Sequence, residues 1–219
     1  MVEMNTFVWN NRAIQHLRQG NSSDAVLILL KAVFRLRKAR AREGVPKGFQ
    51  SKEGQAVLSQ LAANISLEVF PKPQTPTEAA FPLFDQAFVF SNSAHTTDDA
   101  HLWPLTYGIL LYNTGLALHV KGMENGGQPQ SLHLAMKFYR MALEVLEAPV
   151  GGSLLLLLAL FNNMGHIQCH FYNVEEALQC VDWLKALISA KSKVLRPREH
   201  SFFSLSVLTG SKLTLAPAA

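Results

Sequence analysis

The sequence predicts an all-α protein: antiparallel helix hairpins stacked side by side, interrupted by one long irregular insert. Three observations predict it. Apolar residues recur at helical spacing over most of the 219 residues. Prolines stand at the edges of those stretches, at Pro104, Pro129 and Pro149, and not inside them. That suits a residue with no amide proton, whose ring clashes with the preceding turn. Finally, an asparagine two residues ahead of a small residue returns three times, each time before a turn.

The elements follow in chain order. Phe7, Ala13 and Leu17 mark a first helix, and Gly20-Asn21-Ser22-Ser23-Asp24 breaks it. Glycine and asparagine stop a helix, and serine or aspartate caps the next. The next carries Ala25, Leu29, Ala32, Val33 and Leu36. The insert spans 39–104. Within it, 52–67 (KEGQAVLSQLAANISL) reads as a helix, and Pro71, Pro73, Pro76 and Pro82 make 70–100 extended or loop. The stretch FPLFDQAFVF at 81–90 is expected to be an apolar loop tucked against the helices. The sharper alternative is a segment lying in the protein's own groove and competing with a partner. Residues 105–122 and 132–147 form a second helix pair, and 153–172 and 174–189 a third. In the C-terminal segment 190–219, SFFSLSVL at 201–208 is expected to dock. Pro197 followed by Glu199 favours a helix there, while the FSLSV alternation allows a strand. The last residues, LAPAA, are expected to fray.

Self-similarity sharpens this organisation. Trp9-Asn10-Asn11-Arg12-Ala13 aligns with Leu111-Tyr112-Asn113-Thr114-Gly115 and with Phe161-Asn162-Asn163-Met164-Gly165. Turns follow at Gly20, Gly122 and Tyr172-Asn173. Ala25, Ala135 and Ala177 then open the second helices, with Ala32, Ala142 and Leu184 seven residues on. Small side chains at such positions let paired helices approach closely, and each pair leaves an apolar face for a neighbouring pair to cover.

AMKFYRMALEVL (135–146), NVEEALQCVDWLKAL (173–187) and NNMGHIQCHFYN (162–173) resemble the tetratricopeptide repeat family. The resemblance covers motifs at about 5–38, 110–146 and 158–189, roughly half the chain. Ala13 stands where the family usually has glycine, and Leu184 where a smaller residue is usual. The resemblance implies one helical-repeat domain over 1–219, wound as a right-handed α-solenoid, with one or two insert helices as degenerate members. It also implies a concave groove lined by first helices, here presenting Asn10, Ile14, Arg18, Tyr112, Leu116, His119, Asn162, His166, Cys169 and His170. One subgroup of the family grips a partner's terminal carboxylate with lysines, arginines and asparagines. Arg18, Asn11, Asn113 and Asn163 are present here, but the expected lysines are not.

The stretch FNNMGHIQCHFYN raises the question of an active site. At about 100° per residue, Leu160, Met164, Ile167 and Phe171 fall within about 60° of one another. Asn162, His166, Cys169 and His170 fall opposite, so the histidines are expected off the core face. His166 and His170, four apart, can reach one metal, but a structural zinc needs four ligands and a catalytic zinc usually three. Cys169 lies to the side, and no nearby acid completes an HExxH arrangement. A cysteine–histidine nucleophile here has no orienting acid. The expectation is no metal, no cofactor and no catalysis.

Charge is uneven. Lys31, Arg35, Arg37, Lys38, Arg40 and Arg42 place six cations and no acid in 31–42, against a chain total of +4, so the remainder sums to −2. A solvated helix end explains the run, since cations are favoured at a helix C-terminus. The alternative is an acidic partner such as nucleic acid or an anionic surface. Phe34 is the one aromatic residue among these cations, so single-strand stacking is disfavoured. Gly126-Gly127 and Gly151-Gly152 lack a phosphate-loop pattern. Two cysteines suit a reducing compartment, the N-terminus lacks a secretory pattern, and SLLLLLALF at 153–161 is short of the ~20 residues a membrane span needs. The expectation is a cytoplasmic adaptor, with a nuclear address as the other reading of the basic run. It binds a protein or peptide in its groove; polyanion binding through 31–42 is the alternative, and a metal enzyme at His166/His170 the lesser one.

Overall fold

The computed structural model describes residues 6–43, 65–69, 81–91, 103–124, 128–146, 154–191 and 195–215. Seven α-helices and one two-stranded sheet make up the described chain, and 83% of it is helical. In order these are α1 (Thr6–Arg18), α2 (Ser22–Glu43), β1 (Ile65–Val69), β2 (Gln86–Phe90), α3 (Trp103–Glu124), α4 (Pro129–Val145), α5 (Leu154–His170), α6 (Val174–Lys191) and α7 (Pro197–Gly210), then a 3-10 turn (Ser211–Leu215). The chain divides into two compact units. One holds 1–73 and 85–153, the other 74–84 and 154–219. No helix among the described residues is long and apolar enough to cross a membrane.

Two of the three expected hairpin turns, at Gly20 and Tyr172-Asn173, follow the predicted chemistry. The third, expected at Gly122, does not form there, because Gly122 lies inside α3 and packs against Leu132 of α4. After α1, the Gly20 amide donates to the Leu17 carbonyl and the Asn21 amide to that of His16. After α5, Tyr172 donates to Cys169 and Asn173 to Gln168 in the same pattern. This paired closure satisfies the last helical carbonyls and requires a left-handed residue at its centre. Gly20 supplies it at φ +77°, and Tyr172 at φ +58°, an uncommon value for a side chain of that size. The next helix starts at once: the Ala25 amide donates to the Asn21 carbonyl and the Ala177 amide to that of Asn173.

In the first unit, α3 meets α4 through glycines spaced seven apart. A Cβ at Gly108 would lie 3.1 Å from Leu146, one at Gly115 2.6 Å from Tyr139, and one at Gly122 2.7 Å from Leu132. The partners step by seven in the opposite direction, so the helices are antiparallel and close along their length. Tyr139 is fully buried in the notch that Gly115 leaves. In the second unit the Phe81 ring sits in a similar notch. A Cβ would come within 2.9 Å of it at Gly165 on α5 and within 2.5 Å at Gly210 on α7.

The insert is expected to be extended or loop over 70–100, and its residues 86–90 are extended; the difference lies at the end of the helix expected over 52–67. Residues 65–67, the end of the helix expected over 52–67, belong to strand β1; 52–64 lie outside the described residues. The apolar loop expected over 81–90 holds for 81–85, which are irregular and bury Phe81 and Phe84, but not for the rest. Residues 86–90 pair with β1 in an antiparallel register running from Ile65↔Phe90 to Val69↔Gln86. Phe81, Phe84, Phe88 and Phe90 are buried core residues. Phe88, Val89 and Phe90 are residue types that fit a pleated, half-buried surface, and Phe88 and Phe90 share one buried face. SFFSLSVL is helical, within α7, which begins at Pro197 as the Pro–Glu spacing predicts. The Glu199 carboxylate accepts from the Arg196 amide at 3.1 Å. The final APAA lies outside the described residues.

Gly115→Ala tests the close approach. Overpacking against Tyr139 costs ~1–3 kcal/mol, and alanine recovers ~1 kcal/mol of helix propensity. The expected net loss is about 1 kcal/mol in urea unfolding, whereas an exposed glycine-to-alanine change in a helix would stabilise.

Candidate functional site

A strand has two edges, and each edge amide needs a partner once buried. In the first unit β1 covers one edge of β2. Asparagine side chains cover the other. A primary amide carries the same donor–acceptor pair as a peptide group, so it can substitute for a neighbouring strand. The Phe88 amide donates to Asn113 Oδ1 at 3.1 Å, and Asn113 Nδ2 donates to the Phe88 carbonyl at 2.8 Å. The Phe90 amide donates to Asn11 Oδ1 at 3.1 Å, and Asn11 Nδ2 donates back to the Phe90 carbonyl at 2.6 Å.

The second unit repeats the device. The Phe84 amide donates to Asn163 Oδ1 at 2.9 Å, and Asn163 Nδ2 to the Phe84 carbonyl at 3.1 Å. Asn11, Asn113 and Asn163 are the residues aligned by the internal repeat. The residue before each also has a constant role: it donates to the carbonyl two positions upstream. Asn10 Nδ2 reaches the Phe88 carbonyl at 2.9 Å, Tyr112 Oη that of Gln86 at 3.0 Å, and Asn162 Nδ2 that of Pro82 at 2.8 Å. Each repeat therefore holds two alternate residues of an extended chain by main-chain groups alone. Within the first unit Asn113 Nδ2 also donates to Asn10 Oδ1 at 2.8 Å, tying α1 to α3.

Aromatic rings complete the hold. Phe90 stacks on Phe7 at 4.2 Å between centroids, and Phe88 meets Tyr112 edge-on at 5.1 Å. Phe84 meets Phe203 at 5.0 Å and Phe202 at 5.2 Å.

The residues expected to line a groove divide into those that meet the extended segment and those that do not. Asn10, Tyr112 and Asn162 are fully buried and engaged by the protein's own segment. Ile14 and Leu116 are core, and the buried His119 ring faces the Tyr139 hydroxyl at 3.3 Å. Arg18 is exposed and pairs with Glu68 on β1 at 3.1 Å. The expectation that the α5 histidines lie off the core face fails for His166, which is buried; Gln168 on the same helix is buried too. Cys169 and His170 are half-buried. The reason is that α5 is apolar well beyond one stripe, so the wheel overstated its polar face. Of the basic run, Lys31, Arg35, Arg37 and Lys38 are exposed, and the side chains of Arg40 and Arg42 lie outside the described residues.

The histidine–cysteine stretch is electrostatically unlike a catalytic pair. Burial, with the nearby His170 adding to it, pushes His166 down to about 4. Burial pushes the Cys169 thiol up to about 11. A nucleophilic cysteine needs the opposite: a stabilised thiolate beside a base that titrates near neutrality. Among the described residues no group of three or more His, Cys, Asp or Glu side chains is placed to hold a metal ion.

Sequence reasoning found the three asparagines as a repeat signature but assigned them no ligand. The signal was available in two halves: aligned asparagines, and four phenylalanines in a ten-residue stretch between the repeats. No protein-family model, curated protein or solved structure matches this chain.

Asn113→Ala strands the Phe88 amide and the Asn10 oxygen. At ~1–3 kcal/mol for each buried unsatisfied group, the expected loss is about 2–6 kcal/mol, with faster amide exchange at Phe88. His166 predicts a pH effect. Its pKa is lower folded than unfolded, so stability is full above pH 6.5 and falls as the pH drops toward 4, when the unfolded chain takes up a proton the folded chain refuses. The loss approaches about 3 kcal/mol and should be smaller in His166→Leu when urea midpoints at pH 7.5 and 4.5 are compared.

Proposed function

We propose that this chain is a non-catalytic, tetratricopeptide-like helical-repeat scaffold that holds extended polypeptide by its main chain, with its own residues 86–90 as the resident occupant in the first unit and 81–84 in the second. One observation carries this reading: Asn11, Asn113 and Asn163, from three aligned repeats, each make the same two-bond pairing with a phenylalanine backbone. A helix–helix contact needs no such device. A site that receives an extended ligand does, because main-chain hydrogen bonds supply affinity and side-chain pockets supply specificity. The unreactive state of Cys169 and His166 supports the non-catalytic part.

The resident segment is held firmly. Four buried phenylalanines at ~1.5–3 kcal/mol each give about 6–12 kcal/mol of apolar stabilisation. Tethering adds an effective concentration of order millimolar. A partner peptide therefore enters this site only where the tethered segment is weakened, and in the intact chain partners meet the scaffold on its outer faces. The cytoplasm is the compartment this reading proposes.

The test uses Phe90→Ala, which weakens the tethered segment by ~3–5 kcal/mol. A labelled synthetic peptide of residues 80–92 should bind this variant saturably in fluorescence anisotropy. It should bind wild type far more weakly, and adding Asn113→Ala to the variant should remove binding. Absence of saturable binding to a folded Phe90→Ala chain would show 81–90 to be core alone, and the ligand-site reading would fall.

A further inference from the structure

The outer face of α2 has the composition of a contact surface. Leu27, Leu30 and Phe34 are 57%, 38% and 66% exposed, an arrangement of large apolar groups at i, i+3 and i+7. Lys31, Arg35 and Lys38 are exposed on the same side. Arg35 is not idle: its guanidinium lies 5.0 Å over the Trp9 ring on α1, which fixes the cation in place. The core side of the helix is formed by Ala25, Leu29, Ala32 and Leu36, so these exposed groups are surplus to the hairpin. Among the described side chains of α2 the acid is Asp24, in the first turn, away from the cations.

We infer that this face docks an acidic amphipathic helix from a partner protein, with apolar side chains meeting Leu27, Leu30 and Phe34 and carboxylates meeting Lys31 and Lys38. The inference rests on the scaffold reading and deepens it by naming what the outer face takes. Order along the helix selects the occupant. Leu27, Lys31, Phe34 and Lys38 form one row at steps of four, three and four, alternating apolar and cationic. A flat hydrocarbon surface that took up Leu27 and Phe34 would have to take Lys31 between them. A facing helix sets a carboxylate opposite Lys31 and apolar groups on either side, as helix-in-groove recognition does. Nucleic acid would answer the cations but leave Leu27 and Phe34 against phosphate.

The experiment selects single-helix peptides from a display library on the full-length chain. Enriched sequences should alternate leucine-like residues with Asp or Glu at helical spacing. Their affinity should fall about tenfold or more in Phe34→Ser and in Lys31→Glu/Lys38→Glu. Exchanging the peptide carboxylates for lysine should restore binding to the second variant. All these residues are exposed, and the variants should keep the wild-type circular dichroism spectrum. Neutral or basic winners, or winners indifferent to both variants, overturn the inference. So does α2-dependent sedimentation with phosphatidylserine-rich vesicles in the absence of any α2-dependent peptide, which assigns the face to a membrane. Loss of this result with retained binding of the 80–92 peptide to Phe90→Ala would sink the α2 surface alone.

Discussion

An asparagine amide set edge-on to a peptide group is the interaction on which this structure depends. Burying a strand leaves its edge amides with nothing to bond, at a cost of about 1–3 kcal/mol each. A second strand relieves one edge only. Here β1 relieves that edge and asparagines on helices relieve the other. Without that substitution, the Phe88 and Phe90 amides would be buried with no partner on that edge. The device needs the donor and acceptor of a primary amide together. A carboxylate offers acceptors only and a hydroxyl a single oxygen, so neither reproduces both bonds.

Close helix approach serves the same end. Glycines at 108, 115 and 122 bring α4 onto α3, and the notches seat Leu146, Tyr139 and Leu132. Tyr139 in turn contacts Tyr112 at 5.8 Å between ring centroids, and Tyr112 reaches the strand through its hydroxyl. A chain of contacts thus runs from a missing side chain to a main-chain hydrogen bond. Phe81 does the corresponding work in the second unit, wedged where Gly165 and Gly210 leave room. Repeat proteins usually reserve small residues for hairpin closure; here they also make space for the extended segment.

The polar residues that invite a catalytic reading are explained by burial. Burial disfavours the charged forms of both, pushing His166 down and the half-buried Cys169 thiol up. The pattern of two histidines four apart comes from a helix buried around most of its circumference. By contrast α2, with one clear core stripe, leaves Leu27, Leu30 and Phe34 exposed beside the exposed cations Lys31, Arg35 and Lys38.

Much of the helical framework was legible in the sequence. Apolar spacing, boundary prolines and the Gly20 and Tyr172-Asn173 turns located the hairpins, because these signals act through local backbone geometry. Alignment of Asn11, Asn113 and Asn163 also marked the residues that matter most. Their role was not legible, because their ligand is a main-chain group, and main-chain groups are the same at every position. Nothing in FPLFDQAFVF distinguishes a covering loop from a gripped strand until the helices bring the asparagines beside it. Residues 65–67, written in a pattern that suits a helix, became strand because an edge was waiting for them. Local geometry was decided by sequence; which backbone answers which amide was decided only when distant segments met.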